Sequence, residues 1–259
     1  MSAIVRPNTM KAKLKAGQPV FGVQIDTPWP ELVEVCGHLG FDWAFLDAEH
    51  GPLAEADIAH MVRAAESAGI TPVVRVPRNE PETILRYMET GVAGIVVPQV
   101  NSGEEARRVV AAVKYPPQGR RGIGSSRASG YGFGPPGDVY RSQVNDQTVV
   151  ILLLENIRGV ENLDDILAVD GVDVVFVGPA DLSASMGGPI GLEEPSVQGV
   201  VDDVLERTIA AGRIAGVNTG PRGSRAREYA DAGVLCLITG AWGLIGAGAS
   251  AYLSAARRS

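Results

Sequence analysis

The sequence predicts a (β/α)8 barrel, a fold of eight parallel strands that alternate with eight helices. Short apolar runs rich in Val, Ile and Leu recur along the 259 residues, and a segment with helical periodicity follows each run. Runs this apolar are typical of strands that are buried on both faces of a parallel sheet. Glycines end several of the helical segments. We expect a single barrel domain over residues 1–259.

The main alternative is a doubly wound open sheet, which shows the same alternation of strands and helices. Such sheets commonly bind a dinucleotide through a G-x-G-x-x-G motif after the first strand. No such motif follows the first apolar run of this chain. The barrel is therefore the preferred prediction.

The first half of the chain contains four strand–helix pairs. Strands are predicted at 19–26, at 42–50 together with its outgoing loop, at 71–77 and at 93–100. Helices are predicted at 31–39, at about 53–68, at 81–90 and at 102–115. Pro30 suits the first turn of the first helix, and Gly40, Gly69 and Gly91 end the first three helices.

An insertion at about 116–147, rich in Gly, Pro, Arg and Ser, interrupts this alternation. Beyond it, strands are predicted at 149–156, from 172 onward, at 214–220 and at 234–240, and helices at 158–171, about 196–211, 225–232 and 241–256. The last helix is apolar around most of its circumference, whereas an outer barrel helix should carry a polar face. We therefore expect a homo-oligomer in which this helix is exchanged between subunits.

Composition argues against several classes of function. The net charge is −7 and no basic run is interleaved with aromatic residues, so nucleic acid is not an expected partner. Cys36 and Cys236 show neither metal-ligand nor disulfide spacing. We find no signal sequence and no apolar run of about 18 residues, and we expect a cytoplasmic protein without a membrane partner. Lys11, Lys13 and Lys15 are expected on the solvated face of a short N-terminal helix.

The active site of such a barrel lies at the carboxyl ends of the strands, here called the mouth. The polar residues predicted there are Gln24, Asp26, Asp47, Glu49, His50, Arg75, Gln99, Glu155, Asn156, Asp181, Ser183, Asn218 and Thr239. Glu155 and Asp181 follow neighbouring strands, so their carboxylates should converge and suit a divalent cation that keeps positions open for substrate. The alternative is that each is a solvated loop acid or a helix cap.

A second group of polar residues suggests acid–base chemistry. His50 lies three residues beyond Asp47, where a turn can bring the carboxylate onto the imidazole ring. Such a pair suits a general base near pH 7, and a cap of the helix at Leu53 is the alternative. Arg75 lies inside a buried strand, where a guanidinium needs either a structural partner such as Glu49 or Asp47, or a substrate anion.

The placement of lysines argues against one reaction type. The chain has only Lys11, Lys13, Lys15 and Lys114, and none of them ends a predicted strand. A Schiff base requires a desolvated lysine in the pocket. We therefore do not expect an imine-forming aldolase, and a metal ion would have to activate the carbonyl group.

Five motifs occur in order: L-D-A-E-H, P-V-V-R-V-P, Y-P-P-Q-G-R-R-G-I-G, L-L-L-E-N and V-F-V-G-P-A-D-L-S-A-S-M-G. Together they resemble the HpcH/HpaI aldolase family, metal-dependent (class II) pyruvate aldolases of the phosphoenolpyruvate/pyruvate barrel superfamily. The resemblance extends from about Phe21 to Leu244. It implies that Glu155 and Asp181 bind a divalent metal ion, Mg²⁺ or Mn²⁺, with Co²⁺ as a further candidate.

The resemblance also implies roles for the other residues. His50 would be the catalytic base held by Asp47, and Arg75 would stabilise the transition state. Backbone groups at Ala180 and Asp181, near a helix N-terminus, would hold the pyruvate carboxylate. The family further implies a hexamer of helix-exchanging pairs.

The sequence departs from the family pattern at two positions. Leu153 stands where a substrate-contacting Gln is common, and Glu89 stands where an Asp that raises the basicity of the histidine is usual. We expect Glu89 to serve in that role. We also expect the insertion to reach the mouth, where Arg121 and Arg127 would contact the far end of the substrate.

The predicted function is reversible aldol cleavage of a 4-hydroxy-2-oxo acid to pyruvate and an aldehyde through a pyruvate enolate. The partners are thus a small 2-oxo acid and an aldehyde. One alternative is an oxaloacetate decarboxylase or a macrophomate-synthase-like enzyme that forms carbon–carbon bonds on the same scaffold. Another, from a different class, is a non-catalytic oligomeric binding protein.

Overall fold

A computed structural model of the protein, which describes residues 5–187 and 194–257, contains a closed barrel of eight parallel strands. Each strand pairs with the next, and the last pairs with the first. The strands are β1 Val20–Ile25, β2 Trp43–Asp47, β3 Thr71–Arg75, β4 Gly94–Val97, β5 Val149–Leu154, β6 Val174–Val177, β7 Ile214–Asn218 and β8 Cys236–Gly240. The predicted (β/α)8 fold is confirmed.

Helices connect the successive strands. They are α1 Thr9–Lys15, α2 Pro30–His38, α3 Glu55–Ala68, α4 Pro81–Met88, α5 Gly103–Val113, α6 Gly137–Gln147, α7 Ile157–Glu161, α8 Leu163–Leu167, α9 Pro179–Ser185, α10 Pro195–Ala210, α11 Gly223–Asp231 and α12 Ala241–Ala256. The single helix predicted at 158–171 is two short helices, because Asn162 breaks it and donates its side-chain amide to the carbonyls of Asn101 and Arg158. Among the described helices, none has the length and apolar character required to cross a bilayer.

Large aromatic side chains fill the interior of the barrel. Trp43, Phe45 and Phe176 are at most 2% exposed and belong to one inner cluster. Glycine on the neighbouring strand makes room for Trp43, since a Cβ at Gly22 would lie 2.4 Å from Cε2 of Trp43. Inward-facing positions alternate along each strand, so each inner apolar column can end in a polar residue at the mouth.

The insertion packs at the amino end of the barrel, opposite the mouth. The backbone of Arg121 donates to the carbonyl of Lys114, which follows α5, and Ala128 donates to the carbonyl of Glu89, which follows α4. Helices of a (β/α)8 barrel run back to the amino ends of the strands. The expectation that the insertion reaches the mouth of its own barrel is therefore wrong.

Arg121 and Glu89 form a buried ion pair in this region. Nη2 of Arg121 lies 2.7 Å from Oε1 of Glu89, and its guanidinium carbon lies 4.6 Å from the ring centre of Tyr115. Arg127 donates to Glu66 and to the carbonyl of Thr90. The prediction that Glu89 adjusts the basicity of His50, and that Arg121 and Arg127 bind substrate, does not hold within one chain because these residues lie at the amino end.

Helix α1 closes the amino end of the barrel. Its Met10 and Leu14 join the inner cluster. Lys11 is buried and not solvated as predicted, since its Nζ donates to the carbonyl of Thr148 at 2.6 Å and to Asp173 at 3.0 Å. Lys114 donates to the same carbonyl, and burial lowers its pKa to about 8. Lys11 and Lys114 therefore lie at the amino end of the barrel, away from the mouth.

Helix α12 leaves much of its apolar surface uncovered. Trp242, Ile245 and Tyr252 are between 47% and 72% exposed, and within this helix only Ala241 is buried. Nε1 of Trp242 donates to Asp26 at 2.7 Å, which fixes the start of the helix beside β1. Exchange of α12 between subunits, and the hexamer, stay predictions.

Candidate active site

Strands and loops from most of the barrel bring polar groups to the mouth. Asp47 and Arg75 end β2 and β3 and are partners in the strand register. Glu155 directly follows β5, and Asp181 lies in the first turn of α9, just after β6. Of the residues predicted from the sequence, the structure brings together at the mouth Gln24, Asp47, Glu49, His50, Arg75, Gln99, Glu155, Asp181 and Asn218.

The carboxylate of Asp47 is fully buried and accepts five hydrogen bonds. Two come from Arg75, one from the side chain of Gln24, and two from the backbone N–H groups of Glu49 and His50. Burial alone would raise the pKa of Asp47, but Arg75 and the other donors outweigh it, and the net pKa is lowered. The carboxylate is therefore an acceptor that stays ionised.

The expected pairing of Asp47 with the imidazole ring of His50 is not present. Asp47 contacts only the backbone of His50, at 3.2 Å, and so fixes the turn that carries the ring. The side chain of His50 is 58% exposed, and its Nε2 lies 3.9 Å from Oδ2 of Asp181 and 4.0 Å from Oε2 of Glu49. The ring thus stands beside the carboxylate pair, where a base can reach a substrate held there.

Arg75 is held in a fixed orientation. Its Nε donates to Oδ1 of Asp47 at 2.8 Å, its Nη1 lies 3.1 Å from Oε2 of Glu49, and its guanidinium lies 5.4 Å from the ring centre of Phe45. Burial would lower the pKa of Arg75, but its carboxylate neighbours raise it overall. The structural pairing expected from the sequence is present, and binding of a substrate anion by the N–H groups of Arg75 stays a prediction.

Glu155 is 2% exposed, and its two carboxylate oxygens differ. Oε1 accepts the backbone N–H of Gln99 at 2.9 Å, whereas Oε2 is buried without a hydrogen-bond partner. Burial raises the pKa of Glu155 to about 7, helped by the charges of Glu49 and Asp181 and opposed by Gln99 and Arg75. A buried carboxylate oxygen without a hydrogen-bond partner would suit a cation as its ligand.

Charge balance at the mouth also favours a cation. Four carboxylates (Asp47, Glu49, Glu155 and Asp181) surround one guanidinium. Carboxylate oxygens suit Mg²⁺ and Mn²⁺. Among the described residues, no three or more His, Cys, Asp or Glu side chains form a cluster able to hold a metal ion. Binding of a divalent ion by Glu155 and Asp181, with water and substrate as further ligands, stays a prediction.

Two backbone features support Glu155 that sequence reasoning did not identify. Gln99, which follows β4, has a φ of +57°, a left-handed conformation that is unusual for a residue other than glycine. At Gly178 a Cβ would lie 3.1 Å from Cβ and 3.2 Å from Oε2 of Glu155, so only glycine leaves this space free. The Gly178 signal was present in the G-P-A-D motif, and Gln99 was predicted at the mouth, but no sequence pattern indicated its positive φ.

Leu153 forms the apolar floor beneath this site. It is 2% exposed and belongs to the inner cluster of the barrel. Ala180 and Asp181 lie in the first turn of α9, where backbone N–H groups have no acceptor within the helix. Binding of a substrate carboxylate at these two residues stays a prediction.

Comparisons with known proteins identify the family and agree with the barrel fold. The sequence profile of the HpcH/HpaI aldolase/citrate lyase family matches residues 22–221. The chain is 37% identical over 235 residues to the hydroxypyruvate/pyruvate aldolase of Deinococcus radiodurans, covering 90% of this chain and 83% of that one. It is 35% identical over 209 residues to the 2-keto-3-deoxy-L-rhamnonate aldolase of Escherichia coli K12, covering 81% and 78%. A crystal structure of an HpcH/HpaI aldolase/citrate lyase family protein from Burkholderia cenocepacia J2315 has a TM-score of 0.90 at 31% identity, covering 97% of this chain and 100% of that one.

Proposed function

The chain belongs to the HpcH/HpaI aldolase/citrate lyase family, and from this premise we propose that it cleaves a 4-hydroxy-2-oxo acid reversibly to an aldehyde and pyruvate or hydroxypyruvate. It is a carbon–carbon lyase of the aldolase type. We choose pyruvate and hydroxypyruvate as the proposed products because the relatives include a hydroxypyruvate/pyruvate aldolase and a 2-keto-3-deoxy-L-rhamnonate aldolase. The observation that carries the proposal is the buried, unpartnered oxygen of Glu155 beside Asp181 and His50.

Glu155 and Asp181 would hold the metal ion, with Mg²⁺ or Mn²⁺ as the proposed ions. A bound divalent ion supplies Lewis-acid stabilisation of an enolate oxygen. Glu155 presents its free Oε2 because Gln99 occupies Oε1 and Gly178 leaves space above the carboxylate. The half-exposed Asp181 keeps the other side of the site open to substrate.

The guanidinium of Arg75 would stabilise the negative charge that develops on the enolate. Asp47 and Glu49 fix the guanidinium plane, so little reorganisation is needed when negative charge forms on the substrate. The same pairing keeps Arg75 protonated, since its pKa is raised. Arginine suits this role because its remaining N–H groups form a rigid fork.

His50 moves the proton. In the cleavage direction its Nε2 takes the proton of the 4-hydroxyl group while the bond between C3 and C4 breaks. The electron pair of that bond forms the enolate, C4 becomes the aldehyde carbonyl carbon, and C3 of the enolate then takes up a proton. The exposed ring of His50 can exchange this proton with solvent between turnovers.

Leu153 cannot form the hydrogen bond that a Gln at this position would give to the substrate. A second reaction through the same enolate, decarboxylation of oxaloacetate, is therefore the alternative. Decarboxylation of oxaloacetate needs no proton transfer from a 4-hydroxyl group, so it depends less on His50. The rate of oxaloacetate turnover compared with the rate of aldol cleavage distinguishes the two reactions. In a His50→Ala variant, aldol cleavage should fall and decarboxylation should persist.

The testing experiment is exchange of the methyl protons of pyruvate in D₂O, followed by NMR with EDTA, Mg²⁺ or Mn²⁺. We expect exchange only when a metal ion is present, because enolate formation needs the ion. A panel of hydroxylated and apolar aldehydes then identifies the electrophile. Absence of exchange from both pyruvate and hydroxypyruvate with every ion would overturn the proposal and leave a non-catalytic binding protein as the better interpretation.

A further inference from the structure

Two carboxamide side chains at the mouth form a directed chain of hydrogen bonds that ends on Asp47. The backbone of Gly220 donates to Oδ1 of Asn218 at 2.9 Å. Nδ2 of Asn218 points to Oε1 of Gln24 at 3.4 Å, and Nε2 of Gln24 donates to Oδ2 of Asp47 at 2.7 Å. We call Asn218 and Gln24 the amide relay.

The relay joins β7 to β1 across β8, the strand that lies between them. β8 lies between β7 and β1, and Gly240 is the partner of Gln24 in the register of β1 and β8. Gly240 has no side chain, and a Cβ there would meet nothing within 4 Å. The space beside Gly240 is open, and the 3.4 Å contact between Nδ2 of Asn218 and Oε1 of Gln24 spans the intervening strand.

The direction of the relay is fixed by its two ends. The ionised Asp47 accepts only, so Gln24 must turn its NH₂ group toward Asp47 and its oxygen toward Asn218. The N–H of Gly220 only donates, so Asn218 must turn its oxygen toward Gly220. Each amide then has one orientation, which removes the usual freedom of a carboxamide to flip.

Asp47 links the amide relay to Arg75 by hydrogen bonds. Oδ2 of Asp47 accepts from both Gln24 and Nη2 of Arg75, and Oδ1 accepts from Nε of Arg75. Without Gln24, a fully buried carboxylate would lose one donor and its plane would be held by Arg75 and the turn alone. Two hydrogen bonds join the carboxylate of Asp47 to the guanidinium of Arg75, so a carboxylate that rotates more freely would let the guanidinium rotate with it.

We propose that Gln24 and Asn218 are positioning residues that hold Arg75, through Asp47, in the orientation that stabilises the enolate. This inference rests on the proposed function of the mouth. The relay lies on β7 and β1 and acts on β2 and β3, whereas the metal ligands follow β5 and β6. Its loss should therefore change the rate of enolate formation and leave metal affinity unchanged.

The first test is a double-mutant cycle on metal-dependent pyruvate exchange. We expect Gln24→Met to lower kcat about tenfold, with KM for pyruvate and the Mn²⁺ Kd from EPR titration unchanged. Asn218→Leu should lower kcat about threefold in the native background and have no further effect beside Gln24→Met, because both act through Asp47. Thr208→Val removes a buried hydroxyl on the outer helix α10 and is the matched control, which should keep wild-type kcat.

The second test does not depend on catalysis. Hydrogen exchange at Nε of Arg75 is followed by NMR on ¹⁵N-labelled protein, with the signal assigned by its loss in Arg75→Lys. We expect exchange about tenfold faster in Gln24→Met than in the wild type or in Thr208→Val. If the wild type shows no pyruvate exchange at all, the proposed function falls, and this measurement still decides whether the relay orders Arg75.

Three results would overturn the relay. One is a Gln24→Met variant with wild-type kcat and wild-type exchange at Nε of Arg75. Another is additive losses from Gln24→Met and Asn218→Leu. The third is a raised KM at unchanged kcat, which would make the two amides substrate contacts.

Discussion

The backbone N–H of Gln99 donates to Oε1 of Glu155 at 2.9 Å while Gln99 itself adopts a φ of +57°. A left-handed conformation costs about 1 kcal/mol or more in a residue other than glycine. The conformation of Gln99 therefore lowers the stability of the folded protein, and it also directs the N–H group that fixes one oxygen of Glu155, the proposed metal ligand. The other oxygen is left for the ion.

A substitution at Gln99 should separate strain from side-chain chemistry. Gln99→Gly should stabilise the metal-free protein by up to about 1 kcal/mol in urea unfolding, because glycine accepts positive φ. Gln99→Val should lower stability by about 1–2 kcal/mol and weaken Mn²⁺ binding, because a β-branched residue resists this conformation. Equal Mn²⁺ Kd values for the two variants would mean that the backbone N–H does not orient Glu155.

Gly178 should be required for the position of Glu155. In Gly178→Ala the added methyl group would lie 3.2 Å from Oε2 of Glu155 and displace the carboxylate. We expect Mn²⁺ affinity, measured by isothermal titration calorimetry, to fall about tenfold. The matched control is Gly240→Ala, whose methyl group enters open space. A loss of affinity in the control but not in Gly178→Ala would contradict this account.

The stability of the metal-free protein should depend on pH through Glu155. Its pKa of about 7 in the folded protein lies above the usual value of 4.5, so the folded state binds the extra proton between these values. Stability should therefore fall as pH rises from about 4.5 to 7, by up to about 3 kcal/mol. Thermal unfolding in EDTA measures this, and Glu155→Gln should abolish that part of the slope. Saturating Mn²⁺ should restore the stability of the wild type at pH 7.

His50 should affect chemistry without affecting folding. Its ring is 58% exposed and its backbone, not its ring, is bonded to Asp47. His50→Ala should lower the rate of aldol cleavage by about 10²–10⁴-fold, the range for loss of a general base. Unfolding temperature and Mn²⁺ Kd should match the wild type. Retention of cleavage at more than a tenth of the native rate would assign the proton transfer to another group.

The ion pair between Arg121 and Glu89 should affect stability. Arg121 has a side chain that is 1% exposed and packs on Tyr115, so its removal leaves the Glu89 carboxylate partly buried without its partner. Arg121→Ala should lower the free energy of unfolding in urea by about 3 kcal/mol. Arg108→Ala, which breaks an exposed pair with Glu104, should change it by less than about 0.5 kcal/mol. Similar values for the two variants would show that the Arg121 pair is not a buried one in solution.

Local pattern alone determined the barrel and the residues at its mouth. Apolar runs of strand length, helical periodicity between them, and glycine and proline at helix ends are properties of neighbouring residues, so they can be read without tertiary contacts. The same holds for Glu155, Asp181, His50 and Arg75, because a polar residue at the end of a buried strand must lie at the mouth of a parallel barrel. The five motifs then added the family.

Only the tertiary structure decided which groups are partners. Asp47 binds Arg75 and not the ring of His50, because the register of β2 and β3 places the two residues side by side. Glu89 and Arg121 pair at the amino end, and Lys11 is buried against Asp173 across 162 positions of sequence. Strand register, burial and the path of a long insertion set these contacts, and none of the three is encoded in the spacing of residues along the chain.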